Sequence, residues 1–402
     1  MSTSFEPGAP MPTGFVPLCV PEIRGNEWKY IKECLDTNFV SSVGAYVERF
    51  ERDIAARVGT RYAIAAVNGT AALHIALLVA GVQPDDEVLV STLTFIAPVN
   101  AIRYVGAHPV FVDAEPDYWQ MDTHKAIEFL ERECRWTDGE LHDIATGRRV
   151  KAIVPVDILG HPVDMDPLVA IARKYNLAIV EDATESLGAK YKTRNAGQLG
   201  EIACLSFNGN KLITTGGGGM IVTDDEAMAR RAKYLTTQAK DDPLEFVHGA
   251  VGYNYRLTNI QAALGVAQLE KLDEYIGLKR RIAETYVEAF RDVPGIAPMR
   301  EAEWAFSVFW MFTALIDATQ FGMDSRALLR HLGANKIQTR PLWQPAHQSP
   351  AQRGMRATDC TVAERLNRDA ISLPCSIGLI PDQQKRVIEA IKCKRPFSAP
   401  GI

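Results

Sequence analysis

EDATESLGAKYKTRNAGQLGEIACLSFNGNKLITTGGGGM, residues 181–220, decides how the rest of the chain reads. It opens on an acidic pair, Glu181-Asp182, that closes a short apolar run, Leu177-Ala178-Ile179-Val180. It passes through Ser206-Phe207-Asn208-Gly209-Asn210 to Lys211 and then reaches four glycines, Gly216 to Gly219. A short run that is apolar throughout reads as a strand covered on both faces. Asp182 then stands at a strand end. The glycines precede another apolar run, Met220-Ile221-Val222-Thr223, rather than opening a helix, which is the wrong setting for a nucleotide-binding loop.

Working outward, strands are expected at 62–67, 87–91, 109–113, 151–156, 177–182, 202–207 and 220–223. Helices are expected over 26–37, 45–58, 70–80, 95–105, 123–134 and 166–175. Apolar runs alternating with helical stretches predict an α/β body with a mainly parallel central sheet. One long helical pattern over 258–292, apolar and small at first and charged later, would bridge into a second unit. That unit holds an alternating aromatic segment (304–316), a helix near 324–332 and a final helix near 381–392. The expected organisation is an arm over 1–15, a large domain over 16–270 and a smaller α+β domain over 271–402.

The totals narrow the class. A chain of 402 residues supports two domains. Hydrophobic content of 47% and charged content of 23% are those of an ordinary globular protein. A net charge of −5 gives no reason to expect nucleic acid or an anionic membrane as partner. The seven cysteines show no CxxC or His-pair spacing, so free thiols in a reducing compartment are expected, with no metal site. No basic-then-apolar leader and no run of spanning length are present, and a cytoplasmic location is expected.

Several residues could hold chemistry. Asn68-Gly69-Thr70-Ala71-Ala72-Leu73 follows a strand and opens a helix. Thr70 suits an N-cap, Gly69 admits a ligand close to the backbone, and free amides at a helix start bind phosphate. An ordinary strand-to-helix turn would look the same. Phe95, past the second strand, suits a flat ring or the core. Glu185, three residues after Asp182, faces the same pocket or caps the surface. Ser206 offers a hydroxyl to a phosphate or merely ends its strand. A strand-end carboxylate and a later lysine are also what pyridoxal phosphate (PLP) requires. The amine forms a Schiff base with the aldehyde, and the carboxylate keeps the pyridine nitrogen protonated. Asp182 and Lys211 are the candidates. An NAD-dependent enzyme would carry a GxGxxG fingerprint after its first strand, which this chain lacks.

Taken together, Asn68 to Leu73, Thr94-Phe95, Val180-Glu181-Asp182-Ala183, Ser206-Phe207 with Asn210-Lys211 and Thr214-Thr215-Gly216, and Gly252-Tyr253-Asn254-Tyr255-Arg256-Leu257 occur in one order. Over roughly 16–392 the chain resembles the PLP-dependent aminotransferases of nucleotide-linked ketosugars (DegT/DnrJ/EryC/StrS type), within fold type I. The resemblance implies Lys211 as Schiff-base lysine and base, and Asp182 against the pyridine nitrogen. It implies Glu185 near the ring hydroxyl, Phe95 against the ring, and the phosphate on Ser206 and the Gly69, Thr70 and Ala71 amides. Asn254 would reach the phosphate in a neighbouring copy, which implies a homodimer. Arg340 and His347 would approach the sugar nucleotide, with a strand-end structural arginine as the competing reading. Lys190, Lys192 and Arg194 read as a solvated basic run.

Three departures stand out: Glu185 for the family's common glutamine, Asp157 for histidine in PVHLYG, and Gly217 for glutamate in GEGG. Residues 234–243 are similar to aminotransferases of the legionaminic-acid and bacillosamine type. That implies amination of C4 of a UDP- or GDP-linked 2-acetamido-4-keto-2,4,6-trideoxyhexose, with L-glutamate as donor, for surface glycan synthesis. A perosamine-type aminotransferase and a PLP-dependent sugar dehydratase are the alternatives. The dehydratases replace the lysine with histidine. A sensor or structural partner built on this fold would carry an added interaction module.

Overall fold

The computed structural model describes residues 13–242 and 244–393, so most of the expected arm, 1–12, lies outside the described residues. The apolar runs form seven strands: β1 (Tyr62–Ala66), β2 (Glu87–Ser91), β3 (His108–Val112), β4 (Arg149–Val154), β5 (Ala178–Asp182), β6 (Ile202–Ser206) and β7 (Gly219–Thr223). Side by side they run β1-β7-β6-β5-β4-β2-β3, and short strands complete a ten-stranded sheet. From β6 to β3 every neighbour is parallel, while β7 is antiparallel to both β1 and β6. Strand β2 shows why the runs do not alternate with polar residues. Val88 and Val90 enter one core cluster and Leu89 the other, so both faces are covered.

Helices α1 (Glu27–Asp36), α2 (Ala45–Val58), α3 (Gly69–Val79), α4 (Ala97–Tyr104) and α5 (Met165–Lys174) fall where periodicity places them. Helix α3 is apolar on every side and nearly all of it is buried. The expected helix over 123–134 is Thr123–Glu128 continued by one π-helical turn, Phe129–Glu133.

The single helix expected over 258–292 is two: α6 (Asn259–Leu269) and α7 (Leu272–Phe290). Helix α6 starts on a capping box, Thr258 with Gln261, and packs against α1 and α2. At its end the Glu270 carboxylate accepts hydrogen bonds from Asn26 Nδ2 (2.7 Å), Tyr30 hydroxyl (2.7 Å) and Arg49 Nη2 (3.1 Å). These anchor the chain where it turns. No glycine or proline marks the break, so the helical periodicity runs straight through it in the sequence.

Helix α7 leads to an antiparallel sheet of β8 (Ile296–Pro298), β9 (Phe312–Ile316), β10 (Arg340–Pro341) and β11 (Ala370–Leu373), in the order β8-β9-β11-β10. The two sheets exchange segments. Val16 bridges to Ile337, and Cys375 N donates to Leu18 O at 2.8 Å, so the described start of the chain lies on the smaller sheet. In return, Arg356–Ala357 adds a parallel strand beside β3. The basic run forms a small hairpin, Lys190–Tyr191 with Arg194–Asn195, and Lys192 pairs with Asp166. Among the described residues no helix is long and apolar enough to cross a membrane.

Candidate active site

The loops that follow β1, β2, β5 and β6 meet at the carboxyl edge of the parallel strands, where α/β sheets bind ligands. They line a cavity of about 360 Å³ together with Trp310 and Trp343. Gly69, Thr70, Phe95, Asp182, Glu185, Ser206 and Lys211 all stand in its wall.

The first corner is the start of α3. Asn68, not Thr70, is the N-cap: its backbone is extended and its side-chain oxygen accepts from Ala71 N at 2.7 Å. That bond uses the Ala71 amide, and Ala71 is not in the cavity wall, so Ala71 does not match its expected phosphate role. Gly69 is pressed against Ser206: a Cβ on it would lie 2.9 Å from Ser206 Cβ and 3.1 Å from its Oγ. Only glycine lets a backbone amide and that hydroxyl come so close.

At the end of β5 the acidic pair divides. Glu181 points away from the cavity, is wholly buried, and accepts from Gly197 N (2.6 Å), Leu199 N (2.8 Å) and Gly200 N (3.3 Å). Burial pushes its carboxyl up to about 7. Asp182 points into the cavity, is 2% exposed, and accepts from Thr184 N at 3.1 Å. Burial raises it from the usual carboxylate range, and the Thr184 hydrogen bonds and then the nearby Lys211 charge pull it back.

Glu185 is also buried. Its Oε1 accepts from Lys211 Nζ at 3.2 Å, and its Oε2 from Leu159 N at 2.9 Å. The second bond holds Leu159 in a left-handed conformation, φ 61°. Burial raises the Glu185 carboxyl and Lys211 opposes it. On another side Lys211 Nζ lies 4.3 Å from the centre of the Trp310 ring. The Trp310 indole is fixed by donating Nε1–H to Asn210 O at 2.7 Å.

The departures read differently in place. Asp157 is wholly buried behind the cavity, accepting from Val163 N (3.0 Å) and Ser186 Oγ (2.9 Å), while its own amide donates to Asp182 O (3.1 Å). It braces the strand that carries Asp182. At Gly217 a Cβ would meet nothing nearer than Gln261 Nε2 at 4.0 Å, so the glycine is not forced by crowding.

Three expected residues lie outside the cavity wall. Asn254 is exposed and its backbone bridges to Thr237. Arg340 is exposed on β10 and donates Nη1–H to Thr339 O at 3.1 Å. His347 has both ring nitrogens engaged, with Thr92 Oγ1 (2.7 Å) and Glu364 Oε1 (3.1 Å), which leaves it no free atom for a sugar nucleotide. Trp310, Asn208 and Thr184 also line the cavity and were not expected there; Trp343, three residues past Arg340, lines it as well. The one trace of Trp310 in the sequence is the unbroken bulky run Val308-Phe309-Trp310-Met311, where alternation fails.

A mainly parallel sheet carrying a buried aspartate and a lysine in one cavity at its carboxyl edge defines a PLP-dependent aminotransferase of fold type I. Residues 21–392 match the DegT/DnrJ/EryC1/StrS aminotransferase family, and the chain belongs to it. It is 38% identical to the GDP-perosamine synthase of Caulobacter vibrioides over 94% of this chain and 97% of that one. It is 37% identical to the GDP-perosamine synthase of Escherichia coli O157:H7, covering 94% and 98%. Among solved structures, S. venezuelae DesV in complex with a ketimine intermediate aligns with TM-score 0.82 and 31% identity, over 92% of this chain and 94% of that chain. The enzyme is a sugar aminotransferase, and its cofactor is PLP.

The cavity fits that cofactor. Asp182 is a buried acid whose donors both come from Thr184, on one side, and a protonated pyridine would supply a cation opposite it. The Gly69–Ser206 contact makes a cradle that a side chain at 69 would fill.

Proposed function

We propose that the protein transfers an amino group from L-glutamate to C4 of a nucleotide-linked 4-keto-6-deoxy sugar, for surface glycan synthesis. The observation that supports this most is the shared cavity of Asp182 and Lys211. When bound, PLP supplies an electrophilic carbon and, through its protonated ring, a sink for electrons. The Gly69 and Thr70 amides and the Ser206 hydroxyl would hold its phosphate, Phe95 would face its ring, and Asp182 would keep the ring nitrogen protonated. Lys211 Nζ moves the proton at the donor's α-carbon, since proton transfer depends on placement within reach. Glu185 Oε1 and the Trp310 face hold that amine in position.

Two relatives named GDP-perosamine synthase favour a GDP-linked, perosamine-type substrate over the 2-acetamido trideoxyhexose, which rests on residues 234–243 alone. A lysine at 211 favours transamination over dehydration. Arg340, exposed on the strand that leads to Trp343, is the group available to a diphosphate. A homodimer belongs to the same proposal: Asn254 is exposed, and in the stretch before it Leu244 is 85% and Val251 83% exposed. So do the division into 16–270 and 271–402 and a cytoplasmic location.

The test is release of 2-oxoglutarate from glutamate across a panel of nucleotide 4-ketosugars. Fastest release with the GDP-linked 6-deoxy sugar is expected. Release only with a UDP-linked 2-acetamido sugar, or a deoxygenated product without 2-oxoglutarate, would overturn the assignment.

A further inference from the structure

Directly behind the Lys211 loop lies a cluster that the amino-transfer chemistry does not use. Lys279, on α7, is 1% exposed. Its Nζ donates to Trp310 O (2.8 Å) and Cys375 O (2.6 Å) and touches two sulfurs, Cys375 Sγ at 3.6 Å and Cys19 Sγ at 3.7 Å. Cys375 Sγ also lies 3.7 Å from Trp310 O and 3.4 Å from Met311 Sδ, so both sulfurs gather at one ammonium. Their chain segments are joined by Cys375 N donating to Leu18 O at 2.8 Å and Val20 N donating to Ser376 Oγ at 3.0 Å. Cys19 is half-buried, and its S–H reaches Asn210 O at 3.4 Å, the carbonyl that also takes the Trp310 indole. A buried ammonium needs anionic company. Sulfur can supply it only as thiolate: the neighbouring Cys19 thiol and the Lys279 charge bring Cys375 down to about 6, while Cys19 itself is raised well above the ordinary thiol range.

We propose that Cys19 and Cys375 form an oxidisable dithiol, which hydrogen peroxide converts to a disulfide that loosens the Lys211 loop. Cys375 is the thiolate beside Lys279, and Cys19 keeps its proton. The Cys375 thiolate attacks one peroxide oxygen. The O–O bond breaks, the other oxygen leaves as hydroxide and takes a proton from solvent to become water, and Cys375 becomes a sulfenic acid. Cys19 sulfur then attacks Cys375 sulfur, and the expelled hydroxide takes the Cys19 proton and leaves as a second water. The thiol and the thiolate lose two electrons between them, and one peroxide, with the Cys19 proton and one from solvent, is reduced to two waters. The new bond takes the Cys19 hydrogen away from Asn210 O, one residue before Lys211.

The experiment treats the full chain with hydrogen peroxide, without substrate, and then maps non-reduced peptides. Thiols titrated after denaturation should fall from seven to five. The peptides holding residues 19 and 375 should be joined, and dithiothreitol should separate them. Cys19→Ser should abolish the crosslink. Amino transfer should slow by about two- to tenfold with the crosslink, the worth of one lost hydrogen bond, and recover on reduction. The proposal is overturned if both residues stay thiols, if they carry separate oxygens, or if the crosslink joins other cysteines. A crosslink with an unchanged rate overturns its link to the lysine loop. Since the crosslink is read without cofactor or sugar, its absence leaves the transamination assignment untouched, and a failed transamination assay leaves the map readable.

Discussion

Lys211 is held by a carboxylate on one side and an indole face on another, while its own amide donates to Asn208 O at 3.0 Å. A side chain so constrained has one job, and Lys211→Ala should lower turnover by about 10³-fold or more and remove the visible absorbance of bound cofactor. Asp182→Asn should keep the fold and cost about 10²-fold in kcat, measured at saturating glutamate, because a neutral partner no longer holds the ring proton. Both residues were legible in the sequence, since a strand end fixes where Asp182 points and a short loop fixes Lys211 after it. Trp310 was not. It enters from the smaller sheet through a bend at Phe309, φ 46°, and its ring is aimed by a carbonyl 100 positions away. His347 was misplaced for a related reason: Thr92 and Glu364 come from distant segments, and nothing local shows that both nitrogens are used.

At the scale of elements, one tight junction lies between β7 and the turn into α3. A Cβ on Gly219 would lie 2.5 Å from Asn68 C and O and 2.8 Å from Gly69 N, all backbone atoms. Gly219→Ala should therefore cost about 2 kcal/mol or more by urea unfolding and weaken cofactor binding as the phosphate cradle shifts. A second junction is titratable. His161 is buried, takes a hydrogen bond on Nε2 from Ala302 N at 3.0 Å, and stacks on Tyr118. Burial pulls its imidazole down to about 4. Its folded value lies below its unfolded one, so its contribution is complete above about pH 6.5 and is lost as pH falls towards 4. The stability gap between wild type and His161→Asn should shrink by about 2 kcal/mol between pH 7 and pH 5; a constant gap would contradict the assignment. The sequence showed the strands well because burial on both faces leaves continuous apolar runs. It hid the α6–α7 break because Glu270 is held there by partners on α1 and α2.

Across the whole molecule, the parallel order of strands followed from their alternation with helices, whereas the exchange of segments between the two sheets did not. Val16 and Arg356 reach their partners over long sequence distances that no local pattern records. If the exposed Leu244 and Val251 bury in a second copy, Leu244→Glu with Val251→Glu should give monomers by light scattering, with loss of amino transfer. The central claim is that the cofactor is carried on one particular amine. Borohydride reduction of the holoenzyme followed by peptide mass mapping reads this directly. The account predicts pyridoxyl phosphate on Lys211. Pyridoxyl phosphate on any other lysine, including the buried Lys279, would contradict it.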